Sequence, residues 1–261
     1  MKFDGNKAWQ QASAAVSANR EVVLALSGVF FLLPVLCLFL LLPPPQIDPN
    51  AGSEAVEAIM REYQASVLPF LLPVLLFQAL GILAVLTLLT DPARPTVGRA
   101  IALGMRCLLA YVLCQVLVNL PVNVATLLFA SAGAAAGVGA LATAGALALA
   151  IYVTIRTSLA GPVIVVEGER NPIAALVRSW RLTAGNIGKI GVFYLLVAVA
   201  FLFVGLVMIL VAGIVLSLAG SGQFATAVLA VIVSGLFACA VLFFTAIAAA
   251  VHRQLASAAG T

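Results

Sequence analysis

Three side-chain amides, Gln115, Asn119 and Asn123, recur at i, i+4 and i+8 in the uncharged run VLCQVLVNLPVNVATLL. A helix sets that spacing on one face. An amide both donates and accepts hydrogen bonds, and polar groups at membrane depth are the first suspects for function. Two chemistries fit. The stripe lines a headgroup site or a solute path, or it bonds neighbouring helices together at about 0.6–1.7 kcal/mol per bond. Gln78, in PVLLFQALGIL, is a partner for either role.

A second cluster is charged. The stretch VIVVEGERNPIAALVRSWRLTAGN, Val163–Asn186, follows Arg156, which closes an apolar run. Arg156 and Glu167 are expected to form a structural ion pair that locks this stretch to the rest. The other reading joins Arg156 to Arg178 and Arg181 as a phosphate-binding group, but Glu167 and Glu169 would repel an anion there. Arg94, Arg99, Arg106, Arg178, Arg181 and Lys189 are the expected lipid-headgroup contacts, each worth about 1 kcal/mol at an anionic surface.

Other chemistry is thinly supplied. The single histidine, His252, stands beside Arg253 and is expected to face solvent or headgroups. Cys37, Cys107, Cys114 and Cys239 lack metal-ligand spacing and fall in or beside apolar runs, where small packing residues are the plain account. No HExxH, Gly-rich phosphate loop or GxSxG occurs. No carboxylate lies inside an apolar run, so a proton-coupled carrier would lack its usual relay. The expectation is a protein that is not an enzyme, with no cofactor, no metal and no nucleic-acid partner.

The elements that position these residues follow from composition. Hydrophobic residues make up 64% of the 261 and charged ones 8%, with a mean hydropathy of +1.21. A soluble domain carries roughly 25% charge, so the solvent for most of this chain is hydrocarbon. A bilayer core about 30 Å thick takes roughly 20 apolar residues per helix. Six runs qualify: Val22–Pro43, Val67–Thr90, Cys107–Ala130, Ala134–Ile155, Ile190–Leu218 and Phe224–Val251. The first is expected to be retained rather than cleaved, being long for a signal peptide and followed by Pro43, Pro44 and Pro45. The fold class is all-α integral membrane, one six-span domain over residues 1–261.

Basic residues set orientation. Of the 13 Lys and Arg residues, all but Arg61 fall before span one, between spans two and three, between spans four and five, or after span six. Those segments share one face of a six-span chain, so both termini are expected in the cytoplasm. The isoelectric point near 9.1 then reflects a basic collar facing anionic lipid.

Within Val163–Asn186, Asn171 is a good N-cap and Pro172 suits the first helical turn. Ile173, Leu176, Val177 and Trp180 make one apolar face, and Gly185–Asn186 ends the helix. This is an amphipathic helix lying in the interface. Two more are expected. One follows Pro95, with Val97, Ala100, Ile101 and Gly104 on one face. The other is capped by Asn6, with Trp9, Ala12 and Val16 on one face. Each precedes a pair of spans, which suggests three pattern repeats over residues 6–90, 95–156 and 171–252. On the opposite side, Ser53 caps a helix carrying a Glu57–Arg61 pair. Span four, rich in Ala and Gly from Gly137 to Ala150, is expected to be the most protein-buried.

The segment IVVEGERNPIAALVRSWRLTAGN resembles the signature of the bacterial glycerophosphoryl diester phosphodiesterase membrane-domain family and the related YciC-like inner-membrane proteins. AWQQASAAVSANREVVLAL resembles their opening interfacial helix. The resemblance implies a six-span helical protein. In larger members this domain is fused to a phosphodiesterase barrel, which has no counterpart here, so no catalytic residue carries over. The resulting expectation is a non-enzymatic protein of the bacterial inner (cytoplasmic) membrane that engages phospholipid as scaffold, accessory or lipid-handling protein. Beyond phospholipid, its expected partner is itself or another membrane protein. The alternative is a small permease component with a polar path lined by span three.

Overall fold

A computed structural model describes residues 3–45, 47–48, 50–91, 95–135, 137–219 and 223–259. Among these the chain is almost wholly helical and has no strand. Helix α1 is Gly5–Ala18. After Asn19 comes α2, Arg20–Leu41, with a π-helical turn over Gly28–Leu32. Helices α3, Ser53–Thr90, and α4, Val97–Ala135, are the longest. Helix α5, Gly139–Thr157, breaks at Ser158–Leu159 and resumes as a short turn that runs into π-helical Val163–Glu167. Then come α6, Pro172–Thr183, α7, Ile187–Ala219, and α8, Gln223–Ala259. Six of these helices are long and apolar enough to cross a membrane.

Several helices overrun the apolar runs in the sequence. Helix α3 extends back to Ser53 because nothing breaks it before Gly52, and Glu57 and Arg61 pair at 2.7 Å on its first turns. Its N-cap is Gly52, and Ser53 makes no capping bond. Helix α4 begins at Val97, so the interfacial helix expected after Pro95 is no separate element. Ala100, Ile101 and Gly104 are simply its first turns, continuous with span three. Of the three helices expected at the interface, two stand apart as separate elements, α1 and α6. The cap of α1 is Asp4 rather than Asn6, its carboxylate accepting from the amides of Asn6 and Lys7 at 2.9 and 3.1 Å.

The core sits toward one end of the bundle. Residues Ala79–Leu89 of α3, apart from Leu80 and Ile82, are buried, and they meet Phe31, Ala100, Leu159, Ile164, Ile247 and Val251. That end also holds the first described residues and the last turns of α8. Phe3 N donates to Asn186 Oδ1 at 3.1 Å, and α1 lies along the last turns of α8. Closeness is enforced by small residues. A Cβ at Gly81 would collide with Phe30 in the π-helical turn, and Phe30 itself packs tilted against Phe77 with centroids 4.5 Å apart.

Toward the other end the helices are much less covered. Span four is the clearest departure from expectation. From Gly137 to Ala150 most residues are exposed, and only Ala146 is fully buried. Gly133 closes on Ala142 across the α4–α5 turn, so small residues serve the hairpin itself rather than the bundle centre. Span two is the most buried of the six.

Candidate functional site

The polar chemistry near the packed end centres on Glu167. This residue ends the π-helical turn, and Gly168 reverses the chain behind it at φ +72°. Arg178 Nε donates to its Oε2 at 2.9 Å, and His252 Nε2 lies 3.0 Å from its Oε1. With the carboxylate ionised, Nε2 carries the proton and donates. Three segments are tied by one carboxylate: the end of span four, helix α6 and the end of span six.

The expected Arg156–Glu167 pair is therefore corrected. Arg156 donates to the Tyr152 hydroxyl at 3.1 and 3.2 Å and to the Trp180 carbonyl at 3.2 Å. Its guanidinium lies 4.9 Å from the Trp180 ring centroid and 5.4 Å from that of Tyr152. The π-faces and carbonyl give it a cage, and Glu167 goes to Arg178 instead. Arg178 is accordingly a partner of protein as well as a headgroup candidate. His252 is also corrected: it is 2% exposed, not solvated, and its Nδ1 has no partner.

Helix α6 presents two faces. Asn171 caps it, Oδ1 accepting from Ile173 N at 3.0 Å and Ala174 N at 3.4 Å. Ile173, Val177 and Trp180 point outward, as an interfacial helix requires. The face against protein is Ala175, Ser179, Leu182 and Thr183, all buried. Ser179 was not legible as a key residue. Its Oγ donates to the Arg156 carbonyl at 2.8 Å and accepts from Leu159 N at 3.2 Å, which satisfies both sides of the break in span four. The available signal was the row of small residues at four-residue spacing, Ala175 and Ser179.

Between α1 and α7 runs an open groove of about 770 Å3. Asn6 and Lys189 stand at one end, with Trp9, Phe193, Val197 and Phe201 along it. Gly5 lets α1 close on Phe193, since a Cβ there would sit 2.9 Å from that ring. Trp9 is held by stacking on Phe243, centroids 5.7 Å apart. Lys189 is exposed, as are Arg99, Arg106 and Arg181, while Arg94 lies outside the described residues.

The amide stripe is elsewhere. Gln115, Asn119 and Asn123 are exposed on the outer surface of α4, and none of them lines the groove. Asn119 Nδ2 donates to the Gln115 carbonyl at 2.8 Å, and Asn123 Nδ2 to the Asn119 carbonyl at 2.7 Å. Gln78 is half-buried on α3. The hydrogen bonds of the stripe's asparagines, among the described residues, stay within α4. Among the described residues, no group of three His, Cys, Asp or Glu side chains is placed to hold a metal ion.

No protein-family model, curated protein or solved structure matches the chain.

Proposed function

We propose that the protein is a non-enzymatic, lipid-engaging protein of a bacterial inner membrane, with both termini in the cytoplasm, acting as scaffold, accessory or lipid-handling component. The observation that carries this reading is the groove between α1 and α7. It is cationic and polar at Lys189 and Asn6 and apolar from Trp9 to Phe201. Lys189 to Phe201 spans about 18 Å of helix at 1.5 Å per residue. An anionic headgroup at Lys189 with one acyl chain laid along Phe193, Val197 and Phe201 matches that gradient.

Supporting features sit at the same end. Arg99, Arg106 and Arg181 are exposed there, and Trp180 and Val177 of α6 face outward beside them. The positive-inside rule makes this end cytoplasmic. The three-unit pattern fits as α1, the first turns of α4, and α6, each leading a pair of spans. The resemblance of Glu167–Asn186 to the phosphodiesterase membrane-domain family points the same way. The Glu167–His252 pair supports a structural rather than catalytic role, since both carboxylate oxygens and His252 Nε2 hold segments together. The permease alternative would need a path lined by the amides of span three, which are exposed on the outside of one chain.

The test is native mass spectrometry of the protein released from membranes. Wild type should retain anionic phospholipid. Lys189→Glu should lose the preference for anionic headgroups, and Ala200→Trp, which fills the groove, should lose bound lipid altogether. Retention of the wild-type lipid complement by both variants overturns the proposal.

A further inference from the structure

Spans three and five are the two least covered by the rest of the chain, yet their outward surfaces differ in kind. Between Tyr194 and Ser217, α7 shows only apolar side chains and glycine, among them Leu195, Leu202, Phe203 and Ile214. That is the surface expected against acyl chains. The outer half of α4 is also largely uncovered but carries Gln115, Asn119, Asn123 and Thr126, all exposed. Asn119 lies near the middle of the uncharged run Cys107–Ala130, at the depth where water is scarcest.

Each Asn spends one N–H on the carbonyl four residues back. The second N–H and the side-chain oxygen have no partner among the described residues. In hydrocarbon such groups seek one. Alongside them, α5 exposes small residues, Ala140, Ala144, Gly145 and Ala148, a surface that admits close approach of another helix.

We infer that the outer halves of α4 and α5 form the contact between two copies of this chain, with the amides of span three paired across a two-fold axis along the membrane normal. A second copy is the occupant because an amide is its own complement, offering a donor and an acceptor together. Two copies inserted with the same topology bring Asn119 to the same depth automatically. A two-fold axis then sets the stripe against itself. The inference is independent of the lipid groove, which lies between α1 and α7.

The test is cross-linking in native membranes, in a background with the exposed Cys37 and Cys239 changed to Ala. Asn119→Cys should give a disulfide-linked dimer with a membrane-permeant copper oxidant. Leu117→Cys, turned about 200° around the helix, should not. In native mass spectrometry from nanodiscs, the double variant Asn119→Leu/Asn123→Leu should shift wild-type dimer to monomer by at least tenfold. Both substitutions are on an exposed apolar surface, so folding is preserved and is checked by an unchanged apparent Tm. The inference is overturned by equal cross-linking at positions 117 and 119, by a dimer that survives the double variant, or by an Asn119→Cys adduct to a different membrane protein.

Discussion

His252 Nε2 and Glu167 Oε1 lie 3.0 Å apart, joining residues 85 positions apart in sequence. The contact fastens the last membrane helix to the π-helical end of span four. Arg178 brings α6 to the same carboxylate. Because His252 is buried, deleting its acceptor leaves a polar N–H without water or partner, at about 1–3 kcal/mol. Glu167→Ala is expected to lower the apparent Tm in detergent more than Arg178→Ala does, since in Arg178→Ala the carboxylate left behind is 27% exposed and still holds His252. Glu167→Gln, which keeps an acceptor, should fall between wild type and Glu167→Ala. Thermal unfolding of the three variants checks the order, and equal losses for Arg178→Ala and Glu167→Ala would contradict it.

Ser179 does a different task at the same end. The break at Ser158–Leu159 frees the Arg156 carbonyl and the Leu159 amide, and one hydroxyl serves both. Ser179→Ala fits the space but leaves two backbone groups unpaired in a dry place. The expected cost is about 1–3 kcal/mol. Ser179→Thr keeps the hydroxyl, yet its added methyl presses on a fully buried site, so partial rescue is expected. Hydrogen exchange at Leu159, faster in Ser179→Ala than in wild type, separates loss of this bond from a general loosening.

The six helices long and apolar enough to cross a membrane were legible because hydrocarbon demands long uncharged runs such as Ile190–Leu218. Their ends were not, because α3 and α4 continue as helices beyond the apolar limit until Gly52 and Pro95 intervene. The partner of Glu167 was also hidden. Arg156 and Arg178 stand equally far from it along the chain, and only the turn at Ser158–Leu159 and the docking of α6 choose between them. His252 read as a surface residue from its neighbour Arg253, though Val251 and Leu255 mark the buried side of that helix. The amide stripe was visible as a stripe. Which way it faced was not, because in lipid an apolar face does not indicate the inside of a bundle.

Gly81 and Gly98 offer an internal comparison. Gly81 is buried where α3 crosses the π-helical turn of α2, and an added Cβ would meet Phe30 and lie 2.8 Å from Phe31. Gly98, in the first turn of α4, has open space around it. Gly81→Ala is expected to destabilise by about 1–3 kcal/mol through overpacking. Gly98→Ala should be neutral or stabilising by up to about 1 kcal/mol, from helix propensity and reduced unfolded-state freedom. Apparent Tm values of the two variants moving in the same direction by similar amounts would contradict the close packing of α2 on α3.

Orientation makes the last prediction. Successive membrane helices alternate in direction, so the start of α4 and the end of α8 share a side, and the Glu57–Arg61 pair at the start of α3 lies on the other. The basic residues choose the first of these sides, and translocation of Lys and Arg is what membranes resist. In a background lacking the exposed native cysteines, Arg99→Cys and Arg253→Cys should react with an impermeant maleimide only in inside-out vesicles. Glu57→Cys should react only in right-side-out vesicles. All three positions are exposed, so burial does not mask the reagent. Reaction of Arg99→Cys and Glu57→Cys from the same side would mean that α3 does not cross the bilayer.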